Sequence, residues 1–109
     1  LVNTNTAAAA TMTYATPVFT EDTDYNEAAR QTFDGTVSSQ AITNSASKAT
    51  FTITTGGQTL YGAFLTNVNT KGDTAGGGKL FCYALFSSGR AVEASDTFKC
   101  YTTVTAAHA

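Results

Sequence analysis

The chain has 109 residues, the size of one compact domain, and 42% of them are hydrophobic, enough for a core. Only 13% are charged, about half the usual globular share, and the net charge is −2. The six cations are scattered from Arg30 to Lys99 rather than clustered, which argues against the phosphate-neutralising patch that nucleic-acid binding needs. No apolar run approaches the roughly 20 residues of a membrane-spanning helix, so no membrane partner is expected.

No signal peptide is visible. The chain opens at Leu1 rather than Met, so residues ahead of it are expected to have been processed away or left out. Thr and Ala dominate, with 22 and 18 copies. Thr suits pleated, half-exposed surfaces, and a weakly charged, Thr-rich surface fits a protein that lives against neighbours or outside a cell.

Residues 1–13 are rich in Ala, Thr and Asn and carry almost no large side chain. Four Ala flanked by Thr cannot sustain a helix, because nucleation is costly. The segment therefore reads as an extended N-terminal arm that needs a partner to order it. Leu1, Val2, Asn3, Thr4 and Asn5 are its candidate contact residues.

Residues 13–20 predict a strand anchored by Tyr14 and Phe19, with Pro17 confining it to an edge or a bend. Residues 21–27 form an acidic turn, and Glu27-Ala28-Ala29-Arg30 is compatible with one helical turn. Residues 31–37 predict a strand broken at the turn dipeptide Asp34-Gly35. The stretch 38–48 is polar, with Ile42 its only large apolar residue.

Ala49, Phe51 and Ile53 alternate with Thr50, Thr52 and Thr54, which predicts a strand with one buried face. Gly56-Gly57 predicts a hairpin turn into a second strand, 60–65, where Gly62 lets another backbone or ring come close. Residues 67–79 form a long Gly-rich loop of the kind that is usually functional or mobile, and Asn69, Lys71 and Asp73 are its candidate contact residues. Residues 80–86 predict a strand apolar on both faces, and 87–95 a connector containing Gly89. Residues 97–105 predict a last strand with Phe98, Cys100, Thr102 and Val104 on one face. About seven or eight short strands at regular spacing predict one all-β domain over residues 14–109. The expected architecture is a single antiparallel β-sandwich of jelly-roll type, with residues 1–13 as the arm.

The chain reads as a binding or building protein, not an enzyme. Its only His, His108, sits in a polar tail, where it is hard to hold against a nucleophile. The eight carboxylates all fall in expected turns or loops, where nothing raises a pKa for acid–base work. Asp22-Thr23-Asp24-Tyr25-Asn26 opens like a calcium loop, but Glu27 and Phe33 stand where an EF-hand needs Gly and Glu. A polar turn is preferred there over an irregular calcium site. Residues 72–79 fail the phosphate-loop pattern, with Asp73 in place of the first Gly and Leu80 in place of Ser or Thr.

No cofactor is expected. Cys82 and Cys100 are too few for a four-ligand zinc site. They form a disulfide if residues 80–86 and 97–105 pair as a hairpin that sets them opposite, with Tyr83 against Lys99 and Leu85 against Thr97. Otherwise they are a pair of buried thiols acting as small hydrophobes.

Several segments carry a resemblance: Phe19-Thr20-Glu21-Asp22, Ala29-Arg30-Gln31-Thr32-Phe33, Ala49-Thr50-Phe51-Thr52-Ile53-Thr54, Leu60-Tyr61-Gly62-Ala63-Phe64-Leu65-Thr66, the run Lys79-Leu80-Phe81-Cys82-Tyr83-Ala84-Leu85-Phe86, then Arg90-Ala91-Val92, and the step Val92-Glu93-Ala94-Ser95-Asp96-Thr97 into Phe98. Together they resemble a loose group of small structural proteins of tailed bacteriophages, over residues 17–105, with Ser95 where that group usually has Gly. The resemblance implies a virion component: a capsid decoration or cement protein that binds and stabilises the outer capsid surface. Its implied partners are the major capsid protein and copies of itself, as a homo-oligomer with a trimer among the options. It implies no active site to carry over. The alternative reading is a tail or fibre module that binds a host receptor. Phage proteins assemble in a reducing cytosol, which favours free thiols.

Overall fold

Seven strands, all paired antiparallel, form three small sheets in the computed structural model, which describes residues 1–75 and 77–106. They are β1 (Thr36–Ser38), β2 (Ala41–Thr43), β3 (Ala49–Thr52), β4 (Gln58–Thr66), β5 (Leu80–Val92), β6 (Thr97–Cys100) and β7 (Thr103–Thr105). No helix occurs among the described residues. His108, expected as a tail residue, lies outside them, as does Gly76.

The Thr-apolar alternation of 49–54 works as expected. Phe51 and Ile53 are buried and their Thr neighbours are not. The partner differs from the expectation, however. β3 pairs with β6 in the register Ala49↔Cys100 to Thr52↔Thr97, and no hairpin joins it to β4. Gly57 does take the left-handed backbone that a Gly turn supplies (φ 73°), but its N–H donates to the Val92 carbonyl and the Glu93 carboxylate, closing a corner against the end of β5.

β4 and β5 form the longest ladder, Gln58↔Val92 to Thr66↔Leu80. Register shifts between Leu60 and Gly62, which face Arg90 and Leu85, leaving residues 86–89 opposite Tyr61 alone. That bulge is why β5 continues through Gly89 to Val92, where the sequence predicts a connector. A side chain at Gly89 would strike Thr59 and Tyr61. Gly62 permits the close approach expected of it: an added Cβ would overlap the Ala84 carbonyl oxygen.

The β3–β6 and β4–β5 ribbons share one apolar cluster of Tyr25, Phe51, Ile53, Leu60, Val92 and Cys100, closed by Leu1. Tyr25 meets Phe51 edge-on, with ring centroids 4.9 Å apart. Phe19 lies across Phe64 and Tyr83 on the β4–β5 ribbon, at 4.8 and 4.6 Å. The third sheet, β1-β2-β7, has no buried residue. It is tethered through buried Asn44, which accepts a 2.7 Å hydrogen bond from the Thr102 N–H where the expected last strand breaks into β6 and β7.

Other expectations are corrected. Residues 13–20 form no strand, because Tyr14 and Phe19 are used as anchors for an irregular segment. Residues 27–30 form no helical turn, and within 31–37 only the start of β1 is extended in a ladder. The beginning of the expected arm is core: Leu1 is 7% exposed and Val2 fully buried. Val2 bridges Gly62 on one side and Glu21 on the other, with 3.0 and 2.8 Å hydrogen bonds to the Gly62 carbonyl and from the Tyr61 N–H. Two apolar residues supply what β4 lacks on its second edge. The sheets are small and do not close on one another as a complete sandwich.

Candidate functional site

The residues 14–30 and 67–79, which lack strand ladders, hold each other through one arginine. Arg30 donates from Nε and Nη2 to the two carboxylate oxygens of Glu21, at 2.9 and 2.7 Å. Its Nη1 donates to Tyr14 Oη (2.9 Å) and the Val68 carbonyl (3.1 Å), and Nη2 also to the Asp73 carbonyl (2.7 Å). A guanidinium has five N–H groups, and these contacts use them all. Its plane lies over Phe64 and Tyr14, 5.1 and 5.5 Å from the centroids. The Glu21 hydrogen bonds hold the guanidinium further above its ordinary pKa.

Two of the contact residues expected in the loop, Lys71 and Asp73, spend their side chains on the domain itself, and the third, Asn69, is exposed and engaged through its backbone. The Asn69 carbonyl accepts the Arg30 N–H at 2.8 Å. Lys71 Nζ donates to the carbonyls of Tyr25 and Glu27, at 2.8 and 3.0 Å, and lies 4.3 Å over the Tyr25 ring. Asp73 Oδ2 accepts from Tyr14 Oη at 2.8 Å. The long loop is therefore braced against its own domain. Glu27 is spent in the same way: it accepts from the Thr52 N–H and hydroxyl, and the Thr52 N–H chiefly holds its carboxyl below the ordinary range.

In the expected arm, the Asn3 N–H donates to the Thr20 carbonyl (3.1 Å) and Thr4 Oγ1 accepts from the Thr20 N–H (2.9 Å). Asn5 is exposed.

Asp22 is 1% exposed, and neither carboxylate oxygen has a hydrogen-bond partner. Burial pushes its carboxyl above the ordinary range; the Asp24 backbone and Gln58 side chain pull it back, short of hydrogen bonding. No cluster of three His, Cys, Asp or Glu groups occurs among the described residues, and Asp24, the other carboxylate of the acidic turn, is exposed.

A cleft of about 330 Å³ lies beside Arg30 and Glu21 over Leu1, Phe51 and Phe64, but its two charged groups already satisfy each other. A different surface has charges to spare. Arg30 and Lys71 are committed internally, which leaves Lys48, Lys79, Arg90 and Lys99 among the described cations. Three of these four surround a groove between β5 and β6.

Two adjoining clefts, of about 240 and 260 Å³, share Phe86, Cys100 and Tyr101 and make up this groove. Arg90 and Lys99 line it, and Lys48 Nζ lies 5.8 Å over the Tyr101 ring. Leu85 and Tyr101, 37% and 57% exposed, are two of the large apolar side chains the fold leaves in water. Among the described residues β5 pairs only with β4, and β6 only with β3, so each has an edge unpaired by them, and both strands line this groove.

Both cysteines open onto one end of the groove, yet they are not opposed in a ladder. Cys82 faces Leu65, and Cys100 faces Ala49. The hairpin register that would set them opposite is replaced by β4–β5 and β3–β6 pairing, and both are free thiols. Burial pushes both thiols up, so neither carries the thiolate a nucleophile needs near neutral pH. The groove has the means to bind a strand: unpaired edges, aromatic faces and cations. The sequence placed several of its residues on strands, Phe98, Cys100 and Thr102 on one face among them, but marked none as a contact residue. Lys48, Arg90 and Lys99 are far apart in the chain, and only the ladder registers bring them together.

No protein-family profile, no curated protein and no solved structure matches this chain.

Proposed function

We propose that this chain is a structural protein of a bacteriophage virion, a capsid decoration or cement protein that docks through strand edges and exposed apolar side chains on the outer capsid surface. The observation that carries the reading is the groove between β5 and β6, two strands that each keep an unpaired edge among the described residues; exposed Leu85 and Tyr101 line it and three uncommitted cations surround it. Unpaired edges are templates for pairing with another chain. Monomeric domains normally blunt them with short edges, charges or Pro, and β5 is the longest strand of the fold. The segments 19–22, 29–33, 49–54, 60–66, 79–86 and 90–98 that resemble small tailed-phage structural proteins support the virion setting. In this reading the two facing ribbons are the halves of a reduced jelly-roll sandwich, completed by neighbours in the particle.

Cryo-electron microscopy of the particle that carries this chain tests the proposal. Density for the chain at regular positions on the capsid lattice is expected. Density confined to the tail tip or fibres overturns it in favour of a receptor-binding module, and absence of the chain from purified particles overturns both.

A further inference from the structure

We propose that the occupant of the β5–β6 groove is the β1 edge of a second copy of this chain. The inference rests on reading the groove as a docking surface, and it adds the partner.

The charges point to it. Among the described acids, Glu21 is spent on Arg30, Glu27 on Thr52 and Asp73 on Tyr14. Glu93 accepts from the Gly57 N–H, Asp96 from the Glu93 N–H, and Asp22 is buried. The uncommitted acids are Asp24 and Asp34, both exposed. Asp34 stands two residues ahead of β1. The uncommitted cations are Lys48, Arg90 and Lys99 around the groove, and Lys79. Among the described residues no ion pair joins Asp34 to these cations within the chain, so the free negative charge ahead of β1 and the free positive charge around the groove are complementary between copies.

The strand edges point to the same pairing. Among the described residues β1 pairs with β2 alone, and its three residues, Thr36, Val37 and Ser38, include no charge and no Pro, so its outer edge is short but otherwise unguarded. Val37 is 70% exposed, the most of any large apolar side chain described. It heads an apolar row, Val37↔Ile42↔Val104, across a sheet that has no core of its own. Segment 34–38 is as long as the groove-lining stretch 82–86, about 16 Å at roughly 3.3 Å per residue. Seating β1 beside β5 or β6 of a neighbour pairs two open edges, covers Val37 with Leu85 and Tyr101, and brings Asp34 to the cations. The contact is heterologous, since each copy offers one edge and one groove, so it closes into a ring or extends as a row.

Sedimentation analysis of the purified full chain tests this at low and high salt. Self-association is expected, weakened by salt that screens the charges. Asp34→Lys alone and the pair Arg90→Glu with Lys99→Glu are each expected to weaken it by roughly tenfold or more. Mixing the two variants is expected to restore it, because the lysine edge of one then meets the acidic groove of the other. Circular dichroism confirms that each variant keeps its fold. A wild-type chain that stays monomeric overturns the inference. So does an oligomer indifferent to either change, or two weakened variants that fail to complement. None of these results bears on where the chain sits on a particle, so the docking partner fails separately from the capsid assignment.

Discussion

Arg30→Met deletes the brace between residues 14–30 and 67–79. The Arg30 and Glu21 side chains are 10% and 7% exposed, so the pair belongs with buried ion pairs, not with surface pairs worth about 0–1 kcal/mol. Removing the arginine strands the Glu21 carboxylate with the Gly72 N–H alone and orphans the Val68 and Asp73 carbonyls. Breaking one partner of such a pair costs about 3–5 kcal/mol. A domain of this length holds roughly 5–15 kcal/mol in all, so the variant loses a large share of its stability. With a urea slope of about 2 kcal/mol per molar, the unfolding midpoint falls by roughly 2 M. Circular dichroism or tyrosine fluorescence reads it directly, the chain having five Tyr and no Trp. Adding Glu21→Gln to Arg30→Met is expected to recover part of the loss, because no buried charge is left unpaired. A loss below about 1 kcal/mol for Arg30→Met would refute the reasoning, since it would place the pair in the surface class.

Other positions give independent tests. Ser95 sits in the left-handed region at φ 76°, where a non-Gly residue is strained by about 1–2 kcal/mol, so Ser95→Gly is expected to raise stability by a net ~0.5–1 kcal/mol after the glycine's chain entropy, read as a higher urea midpoint. A lower midpoint would contradict it. Gly62→Ala forces β4 and β5 apart at Ala84 and is expected to cost about 1–3 kcal/mol or more, with faster amide exchange at Tyr61, whose N–H bonds Val2. Unchanged exchange would show that the strands yield without parting.

Asp22 offers a test in pH. Its carboxyl is raised above the ordinary 3.8, so the folded chain holds a proton that the unfolded chain releases. Stability therefore falls as pH rises from that ordinary value through the raised one. Asp22→Asn is expected to match the wild type at about pH 4 and to exceed it at about pH 7. A variant with the wild-type pH slope would show that Asp22 is not the group responsible.

The strands with strong local patterns were legible in sequence, and their partners were not. Thr alternation marked β3, and the apolar runs marked β4 and the first half of β5. A Gly-Gly pair after β3 signals that the chain turns. It carries no information on whether the next strand returns beside it, and the pairing of Ala49 with Cys100 is a matter of long-range burial. β5 outran its expected end because Gly89 serves a bulge instead of a turn. Val2 was hidden by its setting: one β-branched residue in an Ala- and Thr-rich stretch has no period to reveal it. The brace had no readable signal, because Glu21 and Arg30 lie nine residues apart in polar stretches and only the fold pairs them. Ser95 adopts a backbone conformation that glycine favours, and no local pattern announces it.

The pairing of β3 with β6 constrains the order in which this molecule acquires its structure. Ala49 waits for Cys100, Val2 waits for Gly62, and Asn44 waits for Thr102. The β4–β5 ladder is closed by residues that all precede β6 in the chain, whereas the apolar face of Phe51 stays bare until β6 joins β3. Loop-closure entropy must be met before such distant contacts return anything, which places folding in the millisecond-to-second regime of proteins dominated by non-local pairing. During that interval, open edges and bare apolar faces are at their most extensive. A nascent chain at high local concentration on its messenger would meet other copies before its own last strand arrives, so the same edges that equip the finished domain to assemble also make early mispairing its main hazard.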